Sequence, residues 1–142
     1  MDRSERAIIQ CECQHLLNRV TNLIDSRQWQ ALVDCYTEDG VLFRPSDAEN
    51  GIVGREAILQ SLQARPPSTT CHLLANSEFD VVSTTRVIAR SKVWLANGPA
   101  GAGGAVEAKA PILIGGFVDT LVYAGNRWLI AERKGSIDLK FG

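Results

Sequence analysis

The stretch T-T-C-H-L-L-A-N, residues 69–76, sets a histidine at the head of an apolar run. An imidazole titrates near neutral pH, so His72 is well suited to move a proton, provided it faces a pocket. The alternative is a core histidine satisfied by one backbone carbonyl. Period-two alternation puts His72, Leu74 and Asn76 on one strand face, where a histidine and an amide would form the polar end of an apolar pocket. Arg44, just before Pro45, is a second candidate. Pointing inward, its guanidinium would bind a carboxylate or polarise a carbonyl; pointing outward, it is an ordinary strand-end arginine. Asp119 lies in G-F-V-D-T-L with Phe117, Leu121 and Tyr123 on its face, and a carboxylate there needs a partner. Arg90 or Arg133 on a neighbouring strand can supply one, making a structural ion pair; otherwise Asp119 is free to meet a substrate.

Other chemistries find less support. The four cysteines are Cys11, Cys13, Cys35 and Cys71. C-E-C with His15 nearby has neither the C-x₂₋₄-C spacing nor the second ligand pair of a zinc site, so no metal is expected. N-G-P-A-G-A-G-G-A, residues 97–105, is followed by Pro111 and a strand pattern rather than by a helix, so it reads as a flexible hairpin tip and not as a phosphate loop. A formal charge of −1 and the lack of any basic face point away from nucleic acid and anionic membrane as partners. Met1–Gln10 has no apolar h-region, and apolar runs elsewhere are broken by charge or glycine. Reduced thiols in a cytoplasmic protein are therefore expected.

These candidates need a frame. With 142 residues and 45% hydrophobic content, the chain can close the core of one domain over residues 1–142. Ser4 can cap a helix whose apolar positions run Ile9, Cys13, Leu16, Leu17, Val20, Leu23 and Ile24, at three-and-four spacing. D-S-R-Q at 25–28 breaks that pattern. A short second helix follows with Trp29, Leu32, Val33 and Tyr36 as its stripe. T-E-D-G at 37–40 reads as a turn, 41–44 as a strand ended by Pro45, and 47–51 as a polar loop. A third helix is expected over 54–64, before Pro66-Pro67. Four long stretches rich in Val, Ile and aromatics then read as strands over 71–82, 86–96, 111–123 and 127–139. Three helices followed by four long strands argue an α+β fold, with helices on one face of an antiparallel sheet.

The ordered set I-D-S-R-Q-W-Q-A-L, Y-T-E-D-G-V-L-F, G-R-E-A-I, a histidine-led strand and D-T-L-V-Y-A-G-N-R-W-L-I-A-E-R resembles the SnoaL-like branch of the nuclear-transport-factor-2-like superfamily, over nearly the whole chain. The resemblance implies a cone: a strongly curved antiparallel sheet wrapped round the three N-terminal helices, with a deep apolar pocket, in a homodimer formed through the sheet. It does not imply one reaction. The isomerase pattern of this superfamily is absent, because Arg44 stands where its base Asp precedes Pro and Val20 near its oxyanion Tyr. The epoxide-hydrolase pattern is absent too, since R-S-K-V-W carries no carboxylate. The scytalone dehydratase pattern matches at two places, Asp25 in D-S-R-Q-W and His72 in T-C-H. That likeness implies a pair in which Asp25 orients His72 and makes it a better base for a proton alpha to a carbonyl. The same pattern's water-holding tyrosines fall at Ile24 and Arg44, and its second histidine near Asn97. Asp25 alternatively ends the first helix and caps the second.

The expected function is a lyase or isomerase without cofactor, dehydratase- or cyclase-like, acting on a small hydrophobic carbonyl compound. His72 and Asp25 would be catalytic, with Arg44, Asn76, Tyr36, Trp29, Asp119 and Phe117 as substrate contacts. The other reading is non-catalytic: a small-ligand binder, or a module resembling the beta subunit of ring-hydroxylating dioxygenases.

Overall fold

A computed structural model describes residues 1–142. Helix α1 spans Arg3–Asp25 and is opened by Asp2 rather than Ser4. Asp2 has a glutamate three residues on. Its carboxylate accepts from the Glu5 N–H at 2.8 Å while Glu5 accepts from the Asp2 N–H at 3.0 Å, a reciprocal capping box that Ser4, with Ala7 at the same offset, has no side chain to complete. Ile9, Cys13, Leu17, Val20 and Leu23 are buried along one face, as the spacing requires. Helix α2 is a single short element, Trp29–Val33, and α3 spans Arg55–Gln63.

Six strands follow the order β2-β1-β6-β5-β4-β3 in one sheet. They are β1 (Tyr36–Arg44), β2 (Asp47–Val53), β3 (Ser68–Ser83), β4 (Arg86–Pro99), β5 (Lys109–Ala124) and β6 (Arg127–Phe141). The sheet is curved and unclosed, and with the helices it forms the α+β cone. One neighbour pair departs from the antiparallel expectation: β1 runs parallel to β6, with Val41, Leu42 and Phe43 beside Glu132, Arg133 and Lys134. The four long strands begin and end within a few residues of the expected positions. The hairpin tip lies three residues later than expected, over 100–108, because pairing of β3 with β4 continues through Ser68 and Pro99.

Three expectations fail in the N-terminal half. Tyr36 opens β1 instead of closing α2, and T-E-D-G lies inside β1. Between Tyr36 and Val41 the register with β6 slips, so the turn-forming residues make an irregular bulged segment rather than a reversal. Residues 47–51 belong to β2, an edge strand whose Asp47 pairs with Arg44 across Pro45-Ser46. Edge strands covered on one side tolerate polar residues at most positions, which hides them from a period-two reading.

The core lies between the inner face of the sheet and the helices. Leu17, Val20, Val33, Ile58, Val87, Leu121 and Ile130 are fully buried there. On the outer side Leu73 and Val118 remain exposed. No helix is long and apolar enough to cross a membrane.

Candidate active site

Asp25 and His72 meet because two local devices aim them at each other. Helix α1 ends in a left-handed reversal: Arg27 takes a φ of 56°, its N–H donates to the Ile24 carbonyl at 3.1 Å, and the Gln28 N–H reaches the Leu23 carbonyl at 3.0 Å. This is a Schellman closure at a position that glycine usually occupies. No side chain caps α2, so the Asp25 carboxylate does not serve as its cap. It turns to the start of β3 and accepts from Thr70 Oγ1 at 2.9 Å, the His72 backbone N–H at 2.8 Å and His72 Nδ1 at 2.5 Å. Thr70 and His72 share a strand face, which is why both reach one carboxylate.

An ionised carboxylate only accepts, so Nδ1 carries a proton in this pair, and in the neutral ring Nε2 keeps a free lone pair. His72 is part of the wall of an apolar cavity of about 190 Å³, and its side chain is only 12% exposed. The rest of the wall is largely aliphatic, with Leu42, Ile58, Val93 and Leu95 among its residues. The polar groups are few: Tyr36, Arg44, Arg65, His72, Arg133 and Ser136. Tyr36 is almost fully buried, and burial pushes its phenol, protonated at neutral pH in any case, up to about 12.

Asp119 belongs to a second carboxylate–cation pair. It is fully buried and does not line the cavity. Arg133 Nε donates to Oδ1 at 2.7 Å and an Arg133 terminal amino group to Oδ2 at 3.0 Å, while the guanidinium lies 3.9 Å from the centre of the Phe117 ring. Burial works against the Arg133 charge, but the Asp119 carboxylate and its hydrogen bonds outweigh that cost and hold the guanidinium above its ordinary range. Of the two partners considered for Asp119, Arg133 takes it and Arg90 pairs with Asp80.

The remaining candidates divide. Arg44, Tyr36 and Phe117 line the cavity. Asn76 does not: it has a φ of 54° at a bulge between Ala75 and Glu78, and its side chain is exposed. The bulge shifts the phase, so His72 and Leu74 face inward and Asn76 faces solvent. Trp29 is half-buried against the core with Arg27 stacked 4.9 Å from its ring centre, outside the cavity wall. Thr70 and Arg65 were not among the candidates. The T-x-H spacing carried the signal for Thr70, whereas nothing in A-R-P-P marks Arg65 as facing a cavity.

Similar structures share this frame at low identity. A protein from Novosphingobium aromaticivorans, provisionally named a scytalone dehydratase, superposes with a TM-score of 0.84 at 19% identity, covering 98% of this chain and 90% of its own. LinA gives 0.81 at 18% identity, covering 99% and 93%. A protein from Catenulispora acidiphila, in complex with S-DNPA, gives 0.74 at 23% identity, covering 93% and 95%. At these identities the likeness is one of fold. No curated protein sequence matches the chain. The model of the SnoaL-like domain matches residues 6–134. With that match over most of its length, the chain belongs to the SnoaL-like domain family, within the nuclear-transport-factor-2-like superfamily.

Proposed function

We propose that this chain is an acid/base enzyme, a cofactor-free lyase or isomerase acting on a small, largely apolar carbonyl compound. The observation that carries the reading is the Asp25–His72 pair at the wall of an apolar cavity. Asp25, held by three donors, orients the ring. His72 Nε2 takes a proton alpha to the carbonyl, and the C–H electron pair moves into the enolate. The Tyr36 phenol, protonated at neutral pH, donates to the developing oxyanion. The proton then returns to another carbon in an isomerisation, or to a leaving group on the beta carbon in an elimination. Ile24 and Arg44 stand where the dehydratase pattern holds a water with tyrosines, which favours chemistry without a positioned water.

Cavity size limits the substrate. A dry cavity of about 150 Å³ holds a benzene ring, so about 190 Å³ suits a monocyclic compound. The same reading has one domain over 1–142, residing in the cytoplasm with free thiols. It pairs two copies through the outer sheet face, where Leu73 and Val118 are exposed. The test is deuterium exchange at the alpha carbons of monocyclic ketones, followed by NMR. The wild type is expected to catalyse exchange, and His72→Asn to slow it by roughly 10²- to 10⁴-fold with its circular dichroism unchanged. Exchange that persists in a folded His72→Asn would leave the non-catalytic ligand-binding reading instead.

A further inference from the structure

Among the residues of the cavity wall there are three arginines, one histidine and no carboxylate. The protein's four ion pairs are His72–Asp25, Arg90–Asp80, Arg133–Asp119 and Lys134–Glu132. Arg133 is therefore neutralised from behind by Asp119, and Asp25 is committed to His72. Arg44 and Arg65 have no internal counter-charge, although the chain as a whole is slightly acidic. They come from different elements, Arg44 from the end of β1 and Arg65 from just beyond α3, and both line the same apolar space.

We propose that the ligand of this cavity carries a carboxylate, held jointly by Arg44 and Arg65, with its apolar body directed toward His72. This rests on the reading of His72 as the base and names the substrate class for it. Planar guanidinium groups match the two oxygens of a carboxylate, and an apolar wall strengthens the attraction by displacing water. Crowding of like charge adds to the argument: Arg65 is held below its ordinary range by burial first and then by Arg44 and Arg27. A bound anion relieves that repulsion. Arg27 props the arrangement from outside, donating to the Arg65 carbonyl at 3.0 Å. Arg44 is half-buried while Arg65 retains an exposed surface at the rim, so solvent screens Arg65 more and its share is smaller.

The experiment titrates benzoate and its neutral near-isostere benzamide into the full chain, in a buffer free of carboxylate and phosphate, by calorimetry and by ¹H–¹⁵N spectra. Benzoate is expected to bind at least tenfold more tightly than benzamide, about 1.4 kcal/mol. Its affinity, unlike that of benzamide, falls as sodium chloride is raised. Arg44→Gln should weaken benzoate tenfold or more and Arg65→Gln about threefold, both leaving benzamide unchanged, while Arg44→Lys keeps part of the preference. Benzoate binding no tighter than benzamide, no binding by either, or unchanged benzoate affinity in the folded Gln variants would overturn the proposal. The salt dependence of the wild type decides the matter if a Gln variant does not fold. Preferential benzoate binding by a chain that catalyses no exchange would keep the anion site and remove the His72 mechanism. Exchange without benzoate preference would do the reverse.

Discussion

The molecule holds two carboxylate–cation pairs on the inner side of its sheet, built from similar parts and differing in what surrounds them. Asp119 and Arg133 sit side by side on β5 and β6, both fully removed from water, with two near-parallel hydrogen bonds and an aromatic ring against the guanidinium. Asp25 and His72 come from a helix end and a strand start; both keep some solvent contact, and the cation is replaced by a ring that can give up its proton. The first pair has a permanently positive member that gives up no proton, and its carboxylate lies outside the cavity wall, so it holds the wall in place. The second has a nitrogen left unused by its partner. A carboxylate beside a cation is thus no sign of chemistry by itself; what matters is whether the partner can exchange a proton with something in the cavity.

Breaking each pair should separate these roles. Removing the carboxylate from the dry pair is the larger insult to folding. Asp119→Ala leaves Arg133 buried and uncompensated, and chemical denaturation should show a loss of roughly 3–5 kcal/mol. Replacing both partners with apolar residues, Asp119→Leu with Arg133→Met, should recover most of that loss. If the double variant is no more stable than the single one, the pair does more than fill the wall. His72→Asn, by contrast, is expected to move exchange activity far more than stability.

A subtler effect is expected in alkali at Tyr36, which is packed near the dry pair and lines the cavity. Its phenol titrates near 10 in the unfolded chain and at about 12 when folded. The folded state therefore holds this proton more tightly. The associated stability is present below pH 10 and is lost as pH rises from 10 through 12, a change on the order of 3 kcal/mol. Tyr36→Phe should lack that component of the alkaline decline when unfolding curves are compared across the same range. An identical decline in both proteins would mean that the phenol is solvated in the native state.

The smallest effect belongs to the hydroxyl that braces the titratable pair. Thr70→Val removes one of three donors to Asp25, at a partly exposed site, and should cost on the order of 1 kcal/mol. It should also leave the His72 ring with Nδ1 protonated, read from ¹⁵N shifts of the imidazole, because the other two donors remain. A switch of tautomer in this variant would make Thr70 a controlling group rather than a brace.

How far these features could be read from residues alone depends on how locally they are encoded. The amphipathic stripe of α1 and the apolar richness of the long strands are repeated signals, and single exceptions do not erase them. The edge strand β2 was invisible because its residues need satisfy only one neighbour. Alternation located His72 and Leu74 on the inner face but failed two residues later, since one bulge at Ala75–Glu78 inverts every assignment beyond it. Tyr36 was assigned to the wrong element yet lines the cavity, because both a helix end and a strand start can present a side chain inward. Arg65 could not be found by pattern at all. Its place depends on how α3 leans on the sheet, a matter of packing between distant segments.

The parallel register between β1 and β6 also ties the site to both ends of the sequence. Asp25 and His72 lie 47 residues apart and can pair once α1 and the start of β3 exist. Phe43 beside Lys134, by contrast, joins segments from opposite ends of the sequence, and Arg44 follows it directly on the same strand. Contacts of such long range carry a high loop-closure cost. The wall that carries Arg44 is therefore completed by the last strand of the chain, whereas the Asp25–His72 pair draws only on α1 and the start of β3.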